Sequence, residues 1–289
     1  MGYFVDSRRY AGMMTANTRR YAISTLAAAL LLAGCSQDTP TPAEQVAAAG
    51  VPGAPTGGAA DIAAKNNPAS NVQESNALVE FAYSYPRDAA AIPDLASWLD
   101  SDRATTRDAL VAAAQRDQAA AEKGGFPYRA HSHLQTWQRV ANTPRFLSLS
   151  AEIETYRGGA HGMTNFDTLL WDRNRRQRVK PLDLFTSGEA FDAAIRDRFC
   201  AAIERAKAAK GIVAEAAPDS PFGKCPPAST QTVWLGSSDG RYLDRMMIAI
   251  APYEIGPFAE GSYKINLPVT GALAKAVKPE FARDFLPIN

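Results

Sequence analysis

Cysteine and histidine are scarce in this chain of 289 residues, which contains three of each. No pair of cysteines has CxxC-like spacing and none has a neighbouring histidine. A redox or metal role for these thiols, the alternative to a disulfide, lacks the spacing that such sites need. Cys35 ends a lipobox-like stretch, described below, and is assigned to lipid attachment, which leaves Cys200 and Cys225 as an even pair. In an oxidising compartment we expect these two to form a disulfide.

An excess of charge of either sign is also missing, since the formal net charge is +1. Residues 1–34 hold four of the 31 Lys and Arg residues and one of the 30 Asp and Glu residues, so the remainder carries a charge near −2. The arginines between Arg173 and Arg178 are interpreted as a solvated hairpin tip. A nucleic-acid partner is therefore not expected, because it requires a basic stripe.

No apolar run is long enough to span a bilayer as a helix. The longest, Tyr21 to Ala33, follows Arg19 and Arg20 and ends in small residues, as a signal peptide does. Leu32-Ala33-Gly34-Cys35 resembles the bacterial lipobox, in which the cysteine receives a diacylglyceryl thioether carrying fatty acids such as palmitate. We therefore expect a lipoprotein signal peptide over residues 1–34, initiated at Met1, Met13 or Met14, and lipidation at Cys35.

Residues 35–76 are rich in Ala, Pro, Gly, Thr and Ser and contain few large aliphatic residues. Such a segment cannot bury enough apolar surface to fold, and we predict a disordered tether. The mature protein is then exported and lipid-anchored on the periplasmic side of the envelope. Ser36 after the lipidated cysteine favours the outer membrane over the inner one.

Hydrophobic periodicity predicts strands and helices that do not alternate regularly. The predicted strands are 77–85, 128–141, 146–156, 163–171, 230–235, 246–251 and 263–267, and the predicted helices are 93–123, 189–209 and 279–285. Short connections between the strands that begin at residues 128, 146 and 163 favour antiparallel pairing. The predicted fold class is α+β, with a mostly antiparallel sheet, flanking helices, and N-terminal and C-terminal subdomains packed together.

A glycine-rich loop, Tyr156-Arg157-Gly158-Gly159-Ala160-His161-Gly162, connects two of these strands. Its glycines indicate positive φ angles or a close backbone approach. With Asn142 to Leu149, Leu182 to Phe185 and Tyr253 to Gly261, this loop resembles the PdaC/RsiV-type family of extracytoplasmic bacterial domains, largely of unknown function. The resemblance extends from about residue 78 to residue 287, with the loop as its most specific part.

The resemblance implies an N-terminal PdaC-like module at residues 77–144 and a C-terminal RsiV-like module at residues 145–289. In that family the domain pair occurs outside an anti-sigma factor that binds lysozyme and beside the catalytic domain of a peptidoglycan deacetylase. The sequence contains neither that metal-binding catalytic domain nor a transmembrane helix. The resemblance therefore implies binding or sensing at the envelope, and neither deacetylation nor sigma-factor control.

Four groups of residues allow alternative interpretations. His161 can act as a general base, or its imidazole can hydrogen-bond backbone groups in a crowded turn. The second interpretation is favoured because no nucleophile or orienting group is identified.

His131 and His133 share a strand face and can ligate zinc. Because Arg129, Gln135 and Arg139 share that face too, we expect it to be polar and exposed. Glu152 and Glu154 can mimic a glycosidase acid pair, with a solvated strand face as the favoured interpretation.

The fourth group is aromatic and can form either a binding platform or core packing. Its members are Tyr83, Tyr85, Tyr128, Trp137, Tyr156, Trp171 and Tyr253.

The sequence thus favours a binding protein over an enzyme, one that recognises peptidoglycan or a lysozyme-like protein. The predicted binding residues are Tyr156, Gly158, Gly159, His161, Gly162 and Tyr253. We expect neither a cofactor nor a metal. The alternatives are an envelope hydrolase that acts on cell-wall material through His161, and a purely structural envelope lipoprotein.

Overall fold

The computed structural model describes residues 68–212 and 222–288. The predictions for the signal peptide and for Cys35 fall outside these residues. The described chain is α+β, as the sequence predicts. In this part of the chain no helix is both long enough and apolar enough to cross a membrane.

The strands and helices follow the predicted order with a few additions. The strands are β1 Pro68–Ser75, β2 Val79–Pro86, β3 His131–Asn142, β4 Phe146–Tyr156, β5 Met163–Asp172, β6 Gln177–Val179, β7 Thr232–Gly236, β8 Arg245–Ile250 and β9 Tyr263–Pro268. The α-helices are α1 Arg87–Ala90, α2 Pro93–Gly124, α3 Gly188–Ala209 and α4 Gly271–Ala276. Short 3₁₀ helices occupy Pro181–Leu184, Ala228–Thr230, Phe258–Glu260 and Pro279–Asp284.

Strands β1 to β6 form one sheet in chain order, and β7 to β9 form a second, antiparallel one. In the first sheet only the β2–β3 pair is parallel, with α1 and α2 in the connection between its strands. The predicted antiparallel pairing of β3, β4 and β5 is confirmed. The arginine-rich segment forms the β5–β6 turn, as expected.

Strand β1 corrects the predicted tether, because ordered structure begins at Pro68 and not near Ala77. This strand has little apolar side chain to bury, with Val72 as its one large aliphatic residue. It is held at the sheet edge by antiparallel pairing with β2, from Pro68↔Pro86 to Ser75↔Glu80. Composition does not reveal such a strand, since backbone hydrogen bonds depend on the neighbour and not on the side chains.

Helix α2 covers one face of the six-stranded sheet. It begins with proline at its first turn and ends at Gly125, whose φ of 69° suits a left-handed cap. Leu95, Leu99 and Leu110 of α2 are fully buried. They pack with side chains of the sheet in one apolar core, including Val79, Phe81, Tyr83, Trp137, Leu147, Leu149, Leu169 and Trp171.

A second apolar core lies around α3 and the β7–β9 sheet. Ser187 caps α3 through its hydroxyl, which accepts from the Ala190 amide at 3.1 Å. The helix buries Phe191, Ile195, Phe199 and Ile203. Phe146 of β4 and Leu170 of β5 belong to this core, whereas their sequence neighbours Leu147 and Leu169 belong to the first. Because successive side chains of β4 and β5 point to opposite faces of the sheet, these two strands contribute to both cores.

The first sheet is continuous across residues 144 and 145, where the sequence predicts a module boundary. Asn142 of β3 pairs with Leu147 of β4 directly across that point. The division into two modules stays a prediction, and the structure adds that both contribute strands to the same sheet.

A buried ion network ties β4 and β5 to the C-terminal segment. Arg145 donates to Asp172, whose carboxylate is fully buried, with a shortest distance of 2.9 Å. The same guanidinium donates at 2.9 Å to the Asp284 carboxylate and at 2.9 Å to the Glu280 carbonyl. It also lies 4.7 Å from the ring centre of Phe281. Three segments of the chain thus converge on one side chain.

Replacing Arg145 by Met should lower the free energy of unfolding by about 3 kcal/mol, because Asp172 is then left as a buried charge without its main partner. Urea denaturation monitored by tryptophan fluorescence measures the change. The matched control is Arg176→Met, which breaks an exposed ion pair with Asp94 and should cost less than about 1 kcal/mol. Equal losses in the two variants would contradict this assignment.

The sulfurs of Cys200 and Cys225 are bonded, as the sequence predicts, across a separation of 25 residues. The bond links α3 to the segment before β7. Replacing both cysteines by Ala should lower the free energy of unfolding by about 3 kcal/mol, since the unfolded chain regains the freedom of that loop. Thermal unfolding with and without reductant provides an independent measurement. An unchanged melting temperature under complete reduction would contradict the prediction.

Candidate functional site

The glycine loop, Tyr156 to Gly162, connects β4 to β5 after the last register pair, Thr155↔Met163. Gly158 has a φ of 84°, a conformation that residues with a Cβ atom rarely adopt. At Gly162, a Cβ atom would lie 3.0 Å from the Thr155 carbonyl oxygen, so the close backbone approach favours glycine there. The loop is thus tight for the two reasons that its sequence indicates.

Strand alternation places neighbouring residues of this loop on different sides of the sheet. Tyr156 follows Glu154 and lines the side away from α2, together with Gly162. Arg157 and Gly158 lie on the α2 side, near His131. The Tyr156 hydroxyl donates to the Gly159 carbonyl at 3.0 Å and accepts from Arg129 at 3.3 Å, which closes the loop on itself.

His161 is exposed and both of its ring nitrogens have partners. Nδ1 lies 2.8 Å from the Gly162 carbonyl oxygen, so Nδ1 carries the proton and donates it. In the neutral ring Nε2 then accepts from the Tyr253 hydroxyl at 3.2 Å. The imidazole also stacks on Phe258 with ring centres 3.7 Å apart and planes 18° from parallel. The imidazole thus bonds a backbone carbonyl, as the favoured interpretation expects, and it also contacts two aromatic side chains.

Tyr253 and Phe258 come from the loop that precedes β9. Tyr253 has a φ of 72°, unusual for a residue with a side chain, and is 48% exposed. Its ring centre lies 5.7 Å from that of Phe258 and 6.2 Å from that of His161. We call His161, Tyr253 and Phe258 the aromatic cluster. It joins segments that are 92 residues apart in sequence.

An open cleft of about 360 Å³ adjoins the aromatic cluster, with Phe258 as part of its wall. Its other lining residues come from the ends of β3, β4 and β5 and are mainly polar or amphipathic. They are Ser132, Leu134, Glu154, Thr155, Tyr156, Gly162, Met163 and Thr164. A cleft with an aromatic wall and hydroxyl groups can form both stacking and hydrogen-bonding contacts with a ligand.

The structure distributes the predicted binding residues over several positions. His161 and Tyr253 meet directly, and Tyr156 and Gly162 line the cleft beside them. Gly159 contributes its carbonyl to the loop's own hydrogen bonding. Gly158 lies on the opposite side of the sheet. Phe258 was not predicted, although it lies in the glycine- and proline-rich loop that the sequence singles out.

The prediction that His131 and His133 lie on an exposed polar face is wrong. His131 is 1% exposed and His133 8%, because α2 covers this face of β3. His133 Nε2 bonds the Gln135 side chain at 2.9 Å, and His131 Nε2 lies 3.2 Å from the Asp117 carboxylate. Across residues 68–212 and 222–288, no group of three His, Cys, Asp or Glu residues is placed to hold a metal.

The other two candidate groups are resolved by their surroundings. Glu152 forms an exposed ion pair with Lys264 at 2.6 Å and Glu154 is exposed, so the solvated strand face is confirmed. Of the aromatic group, Tyr83, Tyr85, Trp137 and Trp171 are buried and belong to the core under α2. Core packing, one of the two interpretations, is therefore confirmed for these four residues, whereas Tyr253 is 48% exposed.

Burial lowers the pKa of His131 and of His133, because an imidazolium ion in the core loses its hydration. The unfolded chain takes up protons near the ordinary pKa of 6.5. The stabilising effect of keeping both rings neutral is complete above that pH and declines as the pH falls below it. We therefore expect the free energy of unfolding to be lower at pH 5 than at pH 7.5.

Urea denaturation at the two pH values measures this difference, which should shrink in a His133→Gln variant. The matched control is His161→Gln, which removes an exposed imidazole and should keep the difference found in the wild type. If the difference in unfolding free energy between the two pH values shrank in His161→Gln and not in His133→Gln, the role of the buried histidines would be contradicted.

Residues 72–164 match the family model described as "Deacetylase PdaC", which confirms the predicted resemblance to PdaC; the match runs past the predicted module boundary at residue 144. The match extends from β1 to the start of β5 and includes the glycine loop. No curated protein matches significantly.

Among solved structures, a DUF3298 family protein from Pseudomonas aeruginosa PAO1 is similar, with 16% identity and a TM-score of 0.47 over 76% of this chain and 96% of that one. A DUF3298 family member from Bacteroides fragilis NCTC 9343 has 18% identity and a TM-score of 0.42 over 71% of this chain and 92% of that one.

Proposed function

We propose that this protein is a lipid-anchored binding module of the cell envelope, which recognises peptidoglycan or a lysozyme-like protein. The supporting observation is the aromatic cluster, in which His161, Tyr253 and Phe258 are assembled from two distant segments and left at the surface. Aromatic side chains held in place by the fold are common anchors of binding sites.

Peptidoglycan is supported by the chemistry of the open cleft. Phe258 offers a ring face, while Ser132 and Thr164 bring hydroxyl groups to the same side of the sheet. Sugar rings present apolar faces and hydroxyl edges, which such a mixed surface can contact together. The PdaC-like region supplies the ends of β3 and β4 to this cleft.

A lysozyme-like protein is the second candidate, and two carboxylates favour it. Glu154 lines the cleft and Glu254 follows Tyr253, and both are exposed. Within the described residues neither carboxylate has an ion-pair partner. Exposed acidic groups beside an aromatic anchor suit a positively charged partner, since they steer its approach.

The hydrolase alternative has weaker support. Nε2 of His161 is the ring nitrogen that can accept a proton, and the Tyr253 hydroxyl already occupies it. Over the described parts of the chain, no Ser, Thr or Cys side chain bonds to His161. A catalytic base of this kind requires a nucleophile within hydrogen-bond reach.

Location at the envelope is proposed from two independent features. The lipobox-like stretch ending at Cys35 supplies the membrane anchor, with the outer membrane favoured by Ser36. The disulfide between Cys200 and Cys225 fits an oxidising compartment outside the cytoplasm.

Sedimentation with purified peptidoglycan sacculi, and capture on immobilised lysozyme, test the proposal. The double variant Tyr253→Ala with Phe258→Ala should lower retention by at least tenfold on the true ligand, because two aromatic contacts are lost. His161→Ala should lower retention less than the double variant does. Neither the wild type nor this variant should degrade cell-wall material.

The matched control is Tyr242→Ala, which removes a side chain that is 39% exposed and lies outside the cluster. It should retain both materials like the wild type. Retention of neither material by the wild type would favour the purely structural lipoprotein. Release of soluble cell-wall fragments by the wild type, lost in His161→Ala, would favour the hydrolase.

A further inference from the structure

A second cavity, of about 270 Å³, lies on the α2 side of the glycine loop. Its walls come from the last turns of α2, from the segment between α2 and β3, and from Arg157 and Gly158 of the loop. Strand alternation separates it from the aromatic cluster, so it is a different site on the other side of the same sheet. This volume is smaller than that of pockets which hold drug-sized molecules, so the cavity suits a smaller ligand.

His131 forms the buried part of this cavity. Its Nε2 lies 3.2 Å from the Asp117 carboxylate, and its buried Nδ1 has no hydrogen-bond partner within the described residues. A proton on Nδ1 would be a buried donor without an acceptor, which is costly. The ring is therefore neutral with its proton on Nε2, which donates to Asp117. That carboxylate is thus already engaged.

Arg157 lines the cavity and has no ion-pair partner among the described residues. It is exposed, and no carboxylate in the described residues forms an ion pair with it. Arg129 also lines the cavity and donates to the Tyr156 hydroxyl. A guanidinium presents a planar pair of donors that matches a carboxylate, so an unpaired one at a cavity favours an anionic ligand.

An exposed apolar side chain completes the site. Phe126 lines the cavity and is 57% exposed, the highest value among the large apolar side chains of the described residues. It follows the end of α2 and its ring lies over Gly124, where a Cβ atom would approach it to 2.4 Å. Single exposed apolar residues are common, but this one stands beside an unpaired guanidinium.

We propose that this cavity binds a small monocarboxylate with a short apolar body, its carboxylate on Arg157 and its apolar part on Phe126 and Pro127. A ligand with two negative charges fits less well, because Asp117 faces the same space. The proposal is independent of the proposed function, since it uses no residue of the aromatic cluster.

Isothermal titration of the purified protein tests this site with N-acetyl-alanyl-alanine, its C-terminal amide, and inorganic phosphate. The free acid should bind with a dissociation constant of the order of 1 mM. The amide and phosphate should each bind at least about tenfold more weakly, since the first lacks the charge and the second lacks the apolar contact.

Arg157→Gln should lower the affinity for the acid by at least about tenfold and leave the affinity for the amide unchanged. Phe126→Ala should weaken the acid and the amide by the same factor. The matched control is Arg116→Gln, which removes a neighbouring exposed charge that does not line the cavity, and it should bind the acid like the wild type. Thermal unfolding of each variant confirms that it is folded.

Three results would overturn the proposal. They are equal affinity for the acid and its amide, tighter binding of phosphate than of the acid, and the absence of saturable binding of the acid at concentrations tenfold above its expected dissociation constant.

Discussion

The alternation of side chains along β4 is the constraint on which the site depends. Odd-numbered residues such as Leu147 and Leu149 pack under α2, whereas Phe146 packs in the core that contains α3. The same alternation continues into the glycine loop. It turns Arg157 toward α2 and Tyr156 toward the open cleft. One short connection therefore contributes to two surfaces on opposite sides of the sheet, and a shift of one residue would exchange them.

The C-terminal elements are needed to complete one of these surfaces. The region that matches the PdaC model supplies the glycine loop and the ends of β3 and β4. Tyr253 and Phe258 come from beyond it and close the aromatic cluster around His161. Arg145 joins the same two parts of the chain through Asp172 and Asp284. The second sheet is thus more than a support, since the loop between its strands β8 and β9 forms half of the proposed binding surface.

Local patterns were enough to predict most of the fold. The strands β2 to β5 and β7 to β9, the long helix α2 and the antiparallel run β3–β4–β5 all follow from periodicity and turn residues. Strand β1 was missed because its mostly polar residues give no apolar periodicity. Pairing with β2, and the bonds of Ser70 and Glu74 with arginines of α2, hold it in place. The short strand β6 and helix α4 were also missed, since three to six residues give too little periodicity to recognise.

The errors at the site have a common physical cause, which is contact between segments far apart in sequence. His131 and His133 alternate with other polar residues and therefore look exposed, but a crossover helix covers them. The contact of Asp117 with His131 and that of Phe258 with His161 leave no local pattern. By contrast, the glycine loop was recognised because backbone geometry at Gly158 and Gly162 constrains the residue type itself.

The central claim is that the aromatic cluster and its cleft form the ligand-binding surface. Its most direct test is a nuclear magnetic resonance titration of the isotope-labelled protein with soluble peptidoglycan fragments, and separately with lysozyme. For at least one of the two, amide shifts should concentrate in residues 154–164 and 251–261. Saturable binding whose shifts leave both segments unchanged and fall elsewhere on the protein would contradict it.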